Sequence, residues 1–137
     1  MVPENTNKMT SINSPFRYAG GKFYARKLIL EHVPNHDTYI EPFCGGASIF
    51  FAKEKVRNNI LNDKDKELVN CLIQIRDNPE KIAEIVETIK PTKENHNHYK
   101  NSFKPKNKIE RAARWFFLNR ISYSGIIPKV KQTGGTE

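Results

Sequence analysis

The chain has 137 residues, enough for one domain, of which 37% are hydrophobic and 28% charged. No run approaches the roughly 18 consecutive apolar residues of a membrane span, and the polar residues 1–13 lack the apolar core of a signal peptide, so a cytoplasmic address is expected. The formal net charge is +8, but residues 90–131 hold 11 basic residues against 2 acidic ones, so the whole excess lies in the carboxy-terminal third.

Such a local excess is the footprint of a nucleic-acid-binding face, or equally of a solvated lysine-rich surface. Cys44 and Cys71 are the only cysteines and form no Cys-x-x-Cys pair, which argues against a disulfide framework or a zinc site. Cys71 is expected to pack on a helix.

Residues 1–14 read as a disordered leader. The following Ser14-Pro15-Phe16-Arg17-Tyr18 runs into a turn at Gly20-Gly21. Over residues 22–33 the apolar positions Phe23, Ala25, Leu28, Ile29 and Val33 fit one helical face, and Pro34 stops the pattern. Tyr39-Ile40 begins a short strand ending at Glu41-Pro42-Phe43, and Gly45-Gly46 follows. A second helix is predicted from Ala47 through Ile49, Phe50 and Phe51, then a second strand at Asn59-Ile60-Leu61 that ends in Asn62-Asp63.

Leu68, Val69, Leu72, Ile73 and Ile75 make an amphipathic helix ending near Arg76. Asp77-Asn78 offers caps, Pro79 suits a first helical turn, and Ile82, Ile85, Val86 and Ile89 carry the next helix up to Pro91. Residues 92–107 are polar and mark the best candidate boundary between two subdomains. Residues 109–123 become periodic again, with Ala112, Ala113, Phe116 and Phe117 on one side and Arg111, Arg114 and Arg120 interleaved among aromatics. No pattern is assigned after Pro128.

The order of helix, strand, glycine turn, helix and strand ending in an acid is the opening of a doubly wound α/β sheet. It supplies about two strands, against the roughly five or six of a typical sheet.

The strongest chemical signal is Glu41-Pro42-Phe43-Cys44-Gly45-Gly46-Ala47-Ser48, placed where a nucleoside ligand sits at the carboxyl end of a sheet. Glycine lets backbone approach a ligand, and a strand-end acid accepts hydrogen bonds from hydroxyl or amino groups. Asp63, 18 residues beyond Gly45, has the position of a ribose-binding acid, expected roughly 20 residues after the glycine turn. It suits a helix cap for residues 64 onward equally well. Ala19-Gly20-Gly21-Lys22 lacks the spacing of a Walker loop, but Lys22 can face a ligand carboxylate. His96 and His98 have no third ligand nearby and read as loop histidines. Leu118-Asn119-Arg120-Ile121-Ser122-Tyr123-Ser124-Gly125 combines groups that contact phosphates and bases, though a helix ending at glycine explains much of it.

Together these pieces resemble the Dam-type adenine-specific DNA methyltransferases. Phe16-Arg17-Tyr18-Ala19-Gly20-Gly21-Lys22 is similar to that family's first motif, and residues 41–50 to its cofactor motif. Asn62-Asp63 through Leu68 is similar to its acid motif, and residues 111–125 to the helix opening its DNA-recognition region. The four occur in the family's order.

The resemblance implies methyl transfer from S-adenosyl-L-methionine to the exocyclic amino group of adenine in DNA, with the target base flipped out of the stack. By motif, Tyr18, Lys22, Glu41, Pro42, Phe43, Gly45, Gly46 and Asp63 would bind the cofactor. Arg111, Arg114, Asn119, Arg120 and Tyr123 would face DNA. The implied fold is α/β: a partial Rossmann-like methyltransferase sheet in residues 15–91, then the mainly helical, basic start of a recognition region in residues 92–137.

The family's catalytic motif, Asp-Pro-Pro-Tyr or a close variant, is absent, since no two of the 8 prolines are adjacent. The expectation is therefore a truncated enzyme, inactive alone, with DNA and a complementing carboxy-terminal polypeptide as partners and no metal. The competing readings are a non-catalytic basic nucleic-acid-binding module and a degenerate product with no stable fold.

Overall fold

Two short strands set the frame. In a computed structural model describing residues 8–122, β1 (Thr38–Glu41) and β2 (Asn58–Leu61) pair in parallel, with Thr38 opposite Asn58 and Glu41 opposite Leu61. A parallel pair needs a crossover, and it contains α2 (Ser48–Ala52). Tyr39 and α2 residues Ile49 and Ala52 pack with Leu30 of α1 (Arg26–Glu31) in a small apolar cluster. The opposite sheet face presents the cross-strand pair Ile40 and Ile60, both about half exposed.

α1 is shorter than the apolar spacing of residues 22–33 predicts. Ala25 and Arg26 donate to the carbonyls of Lys22 and Phe23, three residues back, so the chain enters α1 through tight turns without a side-chain cap. Leu30 is buried, whereas Leu28 and Phe23, expected on the inner face, are exposed.

The two helices after β2 agree closely with their sequence signals. In α3 (Lys66–Asp77) the Asp65 side chain accepts from the amides of Glu67 and Leu68, the N-cap arrangement that satisfies helix-end donors. The cap is therefore Asp65 and not Asp63. Asn78 follows α3, and α4 (Pro79–Glu87) starts with Pro79 in its first turn.

Residues 92–107, the polar stretch read as a candidate boundary, contain a helix. Thr92 caps α5 (Lys93–Asn101), whose Tyr99 stacks with Phe103 and with Phe117 of α6 (Lys108–Ile121). α5 has no buried residue, which explains its polar sequence: it lies on the surface and contributes a single aromatic edge. Asn107 caps α6 by accepting from Glu110, and Glu110 answers by accepting from the amide of Lys106, a near relative of the capping box.

α6 is the pillar of the molecule. It packs on α3, α4 and α5, and Ala112, Ala113, Trp115, Phe117 and Leu118 are all buried. The small side chains let α3 come close, so that the Cys71 thiol reaches the Ala112 carbonyl at 3.6 Å. The main core cluster joins Phe16, Cys44 and Ala47 to Leu68, Cys71, Ile82 and Trp115. One core thus spans both parts that the polar stretch was expected to divide. Losing a buried side chain such as Leu68 to alanine costs about 2–5 kcal/mol.

The expected leader is also partly structured. Met9 bridges antiparallel to Lys53, Thr10 binds the carbonyls of Phe51 and Ala52, and Ser14 binds the Gly46 carbonyl. None of α1 to α6, as described, is long and apolar enough to cross a membrane.

Candidate functional site

The site forms where three loops meet at the carboxyl ends of β1 and β2, the position at which open α/β sheets take ligands. After β1 the chain reverses within residues 42–47. Cys44 donates to the Asn62 carbonyl at 2.8 Å, Asn62 donates to the Glu41 carbonyl at 2.9 Å, and the Asn62 side chain donates to the Pro42 carbonyl. Gly45 has φ +49 and Ala47 φ +55, both left-handed, and the reversal ends as Ala47 donates to the Cys44 carbonyl. Ala47 is the only non-glycine residue of positive φ among the described residues. Such a conformation costs roughly 1–2 kcal/mol outside glycine.

Asp63 holds this turn from β2. Its Oδ2 accepts from the Gly45 amide at 2.9 Å and its Oδ1 from the Asp65 amide at 3.0 Å. The third loop, residues 14–22, closes the other side. Gly21 donates to the Tyr18 carbonyl, and the Tyr18 ring lies over Gly45. A Cβ at Gly45 would stand 2.8 Å from that ring, so glycine is required there by contact as well as by φ.

These loops enclose a cavity of about 280 Å³ lined by residues of all three. Tyr18, Lys22, Glu41, Phe43, Gly45, Gly46 and Asp63, all singled out in the sequence, stand on its wall. Pro42 does not; it contributes a carbonyl to the Asn62 brace instead. Gly20, Gly21, Cys44, Ser48 and Lys64 also line the cavity. All five sit inside the motifs quoted above, Lys64 next to Asp63 in the acid motif.

Glu41 gives the cavity its chemistry. It is buried, and its Oε2 has no hydrogen-bond partner. Burial raises its pKa, against the opposing pull of the Tyr39 hydroxyl, the Lys22 charge and the Phe50 backbone. Burial together with the charges of Asp63 and Glu41 pushes the Cys44 thiol up to about 11, so Cys44 is not a nucleophile at neutral pH. Tyr18 is also raised, by burial and then by Asp63 and Asp65. A buried acceptor without a partner is costly. Glu41 thus places a half-satisfied carboxylate residue on the cavity wall. No cluster of metal-ligating side chains exists among the described residues.

The residues expected to face DNA are dispersed. Arg111 pairs with Glu67 of α3. Arg114 donates to the carbonyls of Tyr99 and Lys100, tying down the end of α5. Asn119 is fully buried and bonded to the backbone of Arg17, so it does not face solvent as a DNA contact would. Arg120 alone of this group is exposed among the described residues. Tyr123 lies outside them. The other exposed cations of the basic third, among the described residues, are Lys90, Lys93, Lys104, Lys106 and Lys108, the last of which opens α6.

Comparison with known proteins gives these loops a context. The family model of D12 class N6 adenine-specific DNA methyltransferases matches residues 18–136. The type II methyltransferase M1.LlaDCHI of Lactococcus lactis subsp. cremoris is 30% identical over 129 residues, covering 82% of this chain and 42% of that protein. The DNA N-6-adenine-methyltransferase of Escherichia phage P1 is 29% identical over 118 residues, covering 82% of this chain and 16% of that protein. The type II methyltransferase M.CviBI of Paramecium bursaria Chlorella virus NC1A is 28% identical over 123 residues, covering 87% and 46%. The chain thus spans less than half the length of each of these relatives.

Proposed function

Because the chain belongs to the D12 class N6 adenine-specific DNA methyltransferase family, we propose that its cavity binds S-adenosyl-L-methionine, the methyl donor of that family. The observation that carries the reading is a wall built from three separate motifs, with the buried carboxylate residue Glu41 beside Lys22 and Asp63 on it. When bound, the cofactor supplies an electrophilic methyl group on a sulfonium centre. In this reading Glu41 accepts from a donor of the ligand, and Lys22 offers a cation to its carboxylate. Asp63 keeps the Gly45 turn in place and retains lone pairs for a ribose hydroxyl. The exposed Phe43 ring offers an apolar surface suited to a nucleobase.

Calorimetric titration with S-adenosyl-L-methionine tests the site. Saturable binding by the chain, weakened about tenfold or more in Glu41→Gln, is the expected result. Equal affinity in both would place the cofactor elsewhere.

The two parallel strands are read as the beginning of a Rossmann-like sheet, and the substrate as adenine in DNA. The chain alone is not expected to methylate it. Adenine's exocyclic nitrogen is a poor nucleophile because its lone pair is delocalised into the ring. It must be aimed closely, since a misplacement of about 1 Å can cost on the order of a hundredfold in rate. In the family the aiming groups come from an Asp-Pro-Pro-Tyr motif that these 137 residues do not contain. A complementing carboxy-terminal polypeptide bearing that motif would supply them. Transfer of labelled methyl groups to duplex DNA should appear only when such a polypeptide is added. Turnover by the chain alone would show that its own residues hold the base.

A further inference from the structure

We propose that Asn119, buried in α6, is the positioning residue of the loop that walls the cavity, acting through the backbone of Arg17. The proposal rests on the cofactor reading above. Asn119 follows the buried Leu118 on a packed helix and is 0% exposed. A carboxamide is costly to bury unless its polar atoms are bonded. Its Oδ1 accepts from the Arg17 amide at 2.9 Å, and its Nδ2 donates to the Arg17 carbonyl at 2.7 Å. Two bonds to one residue fix both the height and the rotation of that residue, across 102 positions of sequence.

Neighbouring contacts tighten the same joint. Phe16 packs edge-on against Trp115 of α6, with ring centres 4.9 Å apart, and its amide donates to Ser14. The next residue after Arg17 is Tyr18, whose ring covers Gly45, and the tight turn closed by the Tyr18 carbonyl leads to Lys22. No flexible spacer separates the clamp from the cavity wall, so a shift at Arg17 is passed directly to Tyr18. Leucine has similar bulk but neither bond. Aspartate keeps the acceptor for the Arg17 amide but loses the donor for its carbonyl. The role belongs to the carboxamide and not to packing.

The test compares the whole chain with Asn119→Leu, Asn119→Asp and Leu118→Ala, the last deleting a buried neighbour while leaving the clamp intact. Backbone hydrogen exchange of residues 16–22 reports the loop without any ligand. Titration with S-adenosyl-L-homocysteine reports the cavity, and thermal unfolding reports the core. Asn119→Leu should unfold cooperatively, lose loop protection at least tenfold and weaken ligand binding at least tenfold. Asn119→Asp, which also covers the case that the leucine variant does not fold, should show the same losses in a folded chain. Leu118→Ala should melt earlier while keeping loop protection and affinity per folded molecule. Unchanged loop protection in both Asn119 variants, or a loosened loop with wild-type affinity, would overturn the proposal. A wild-type chain with a protected loop and no affinity would overturn the cofactor reading instead.

Discussion

The loops around the cavity and the helices behind them obey different rules. Residues 14–22, 42–47 and 62–65 contain almost no regular structure, and each is held by a few specific bonds: Ser14 to Gly46, Asp63 to Gly45, Asn62 to Pro42. α3, α4 and α6 are held by apolar area spread over many side chains. Damage to the loops should therefore show in ligand binding before it shows in melting, and damage to the helices the reverse. Each substitution below places one residue on one side of that divide.

The largest effect is expected at Gly45. Valine there must adopt a left-handed φ, a strain of about 1–3 kcal/mol, and its Cβ meets the Tyr18 ring at 2.8 Å. The side chain does not simply fill the ligand's space; it pushes Tyr18 off the cavity wall. Gly45→Val should reduce affinity for S-adenosyl-L-methionine on the order of a hundredfold, consistent with a wall displaced by ångströms. Calorimetry at matched folded fraction measures this. Affinity within threefold of wild type would mean that the Tyr18–Gly45 contact does not shape the site.

Two acids two residues apart make a sharper comparison. Asp63 braces the Gly45 turn and Asp65 caps α3. Removing Asp63 leaves the Gly45 amide without its acceptor, a loss of roughly 1–3 kcal/mol, so Asp63→Ala should cost about tenfold or more in cofactor affinity. Asp65→Ala should cost about 1 kcal/mol of stability, the usual loss of an N-cap, with affinity retained. Chemical denaturation beside calorimetry separates the two. Identical profiles for both variants would erase the distinction between brace and cap.

The same divide explains what the sequence could and could not disclose. The motifs of the loops are legible because glycine, proline and acids at strand ends have few other uses, and seven of the eight residues picked as cofactor contacts do line the cavity. Helix existence was legible from apolar spacing in α3 and α4. The partners of the α6 side chains were not. The resemblance assigns the α6 arginines and Asn119 to a DNA face, and periodicity does not say which face is covered by another helix. In space Arg114 is spent on carbonyls of α5 and Asn119 on Arg17, a contact across 102 residues that no local pattern encodes. α5 was missed because a helix with no buried residue has no apolar period to find.

A smaller effect tests that reassignment of the arginines. Arg114→Ala should lower stability by about 1.5–3 kcal/mol, the range for hydrogen bonds to a charged group, and leave DNA affinity unchanged. Arg120→Ala should leave melting unchanged, weaken DNA binding a few-fold and reduce the salt slope by about 1, as expected for one lost phosphate contact. Both are read by DNA titration at two or more salt concentrations. Weakened binding in Arg114→Ala without loss of stability would return that residue to the DNA face.

The smallest effect concerns Glu41 and has opposite signs in the free and bound chain. Burial raises the folded pKa of Glu41 above its unfolded value near 4.5. The folded free chain therefore holds a proton that the unfolded chain has released. Its stabilising contribution is complete below the unfolded pKa and is lost as pH rises through the raised folded value. Chemical denaturation from pH 4 upward should show this as a modest fall in stability that Glu41→Gln abolishes. Binding runs the other way. A ligand donor on the Glu41 carboxylate favours its ionised form, so affinity should rise across the same window and binding should release a proton. Titrations in buffers of different ionisation enthalpy detect that proton, and the glutamine variant should release none. A wild-type chain whose stability and affinity move together with pH would place the ligand's donor on some other acceptor.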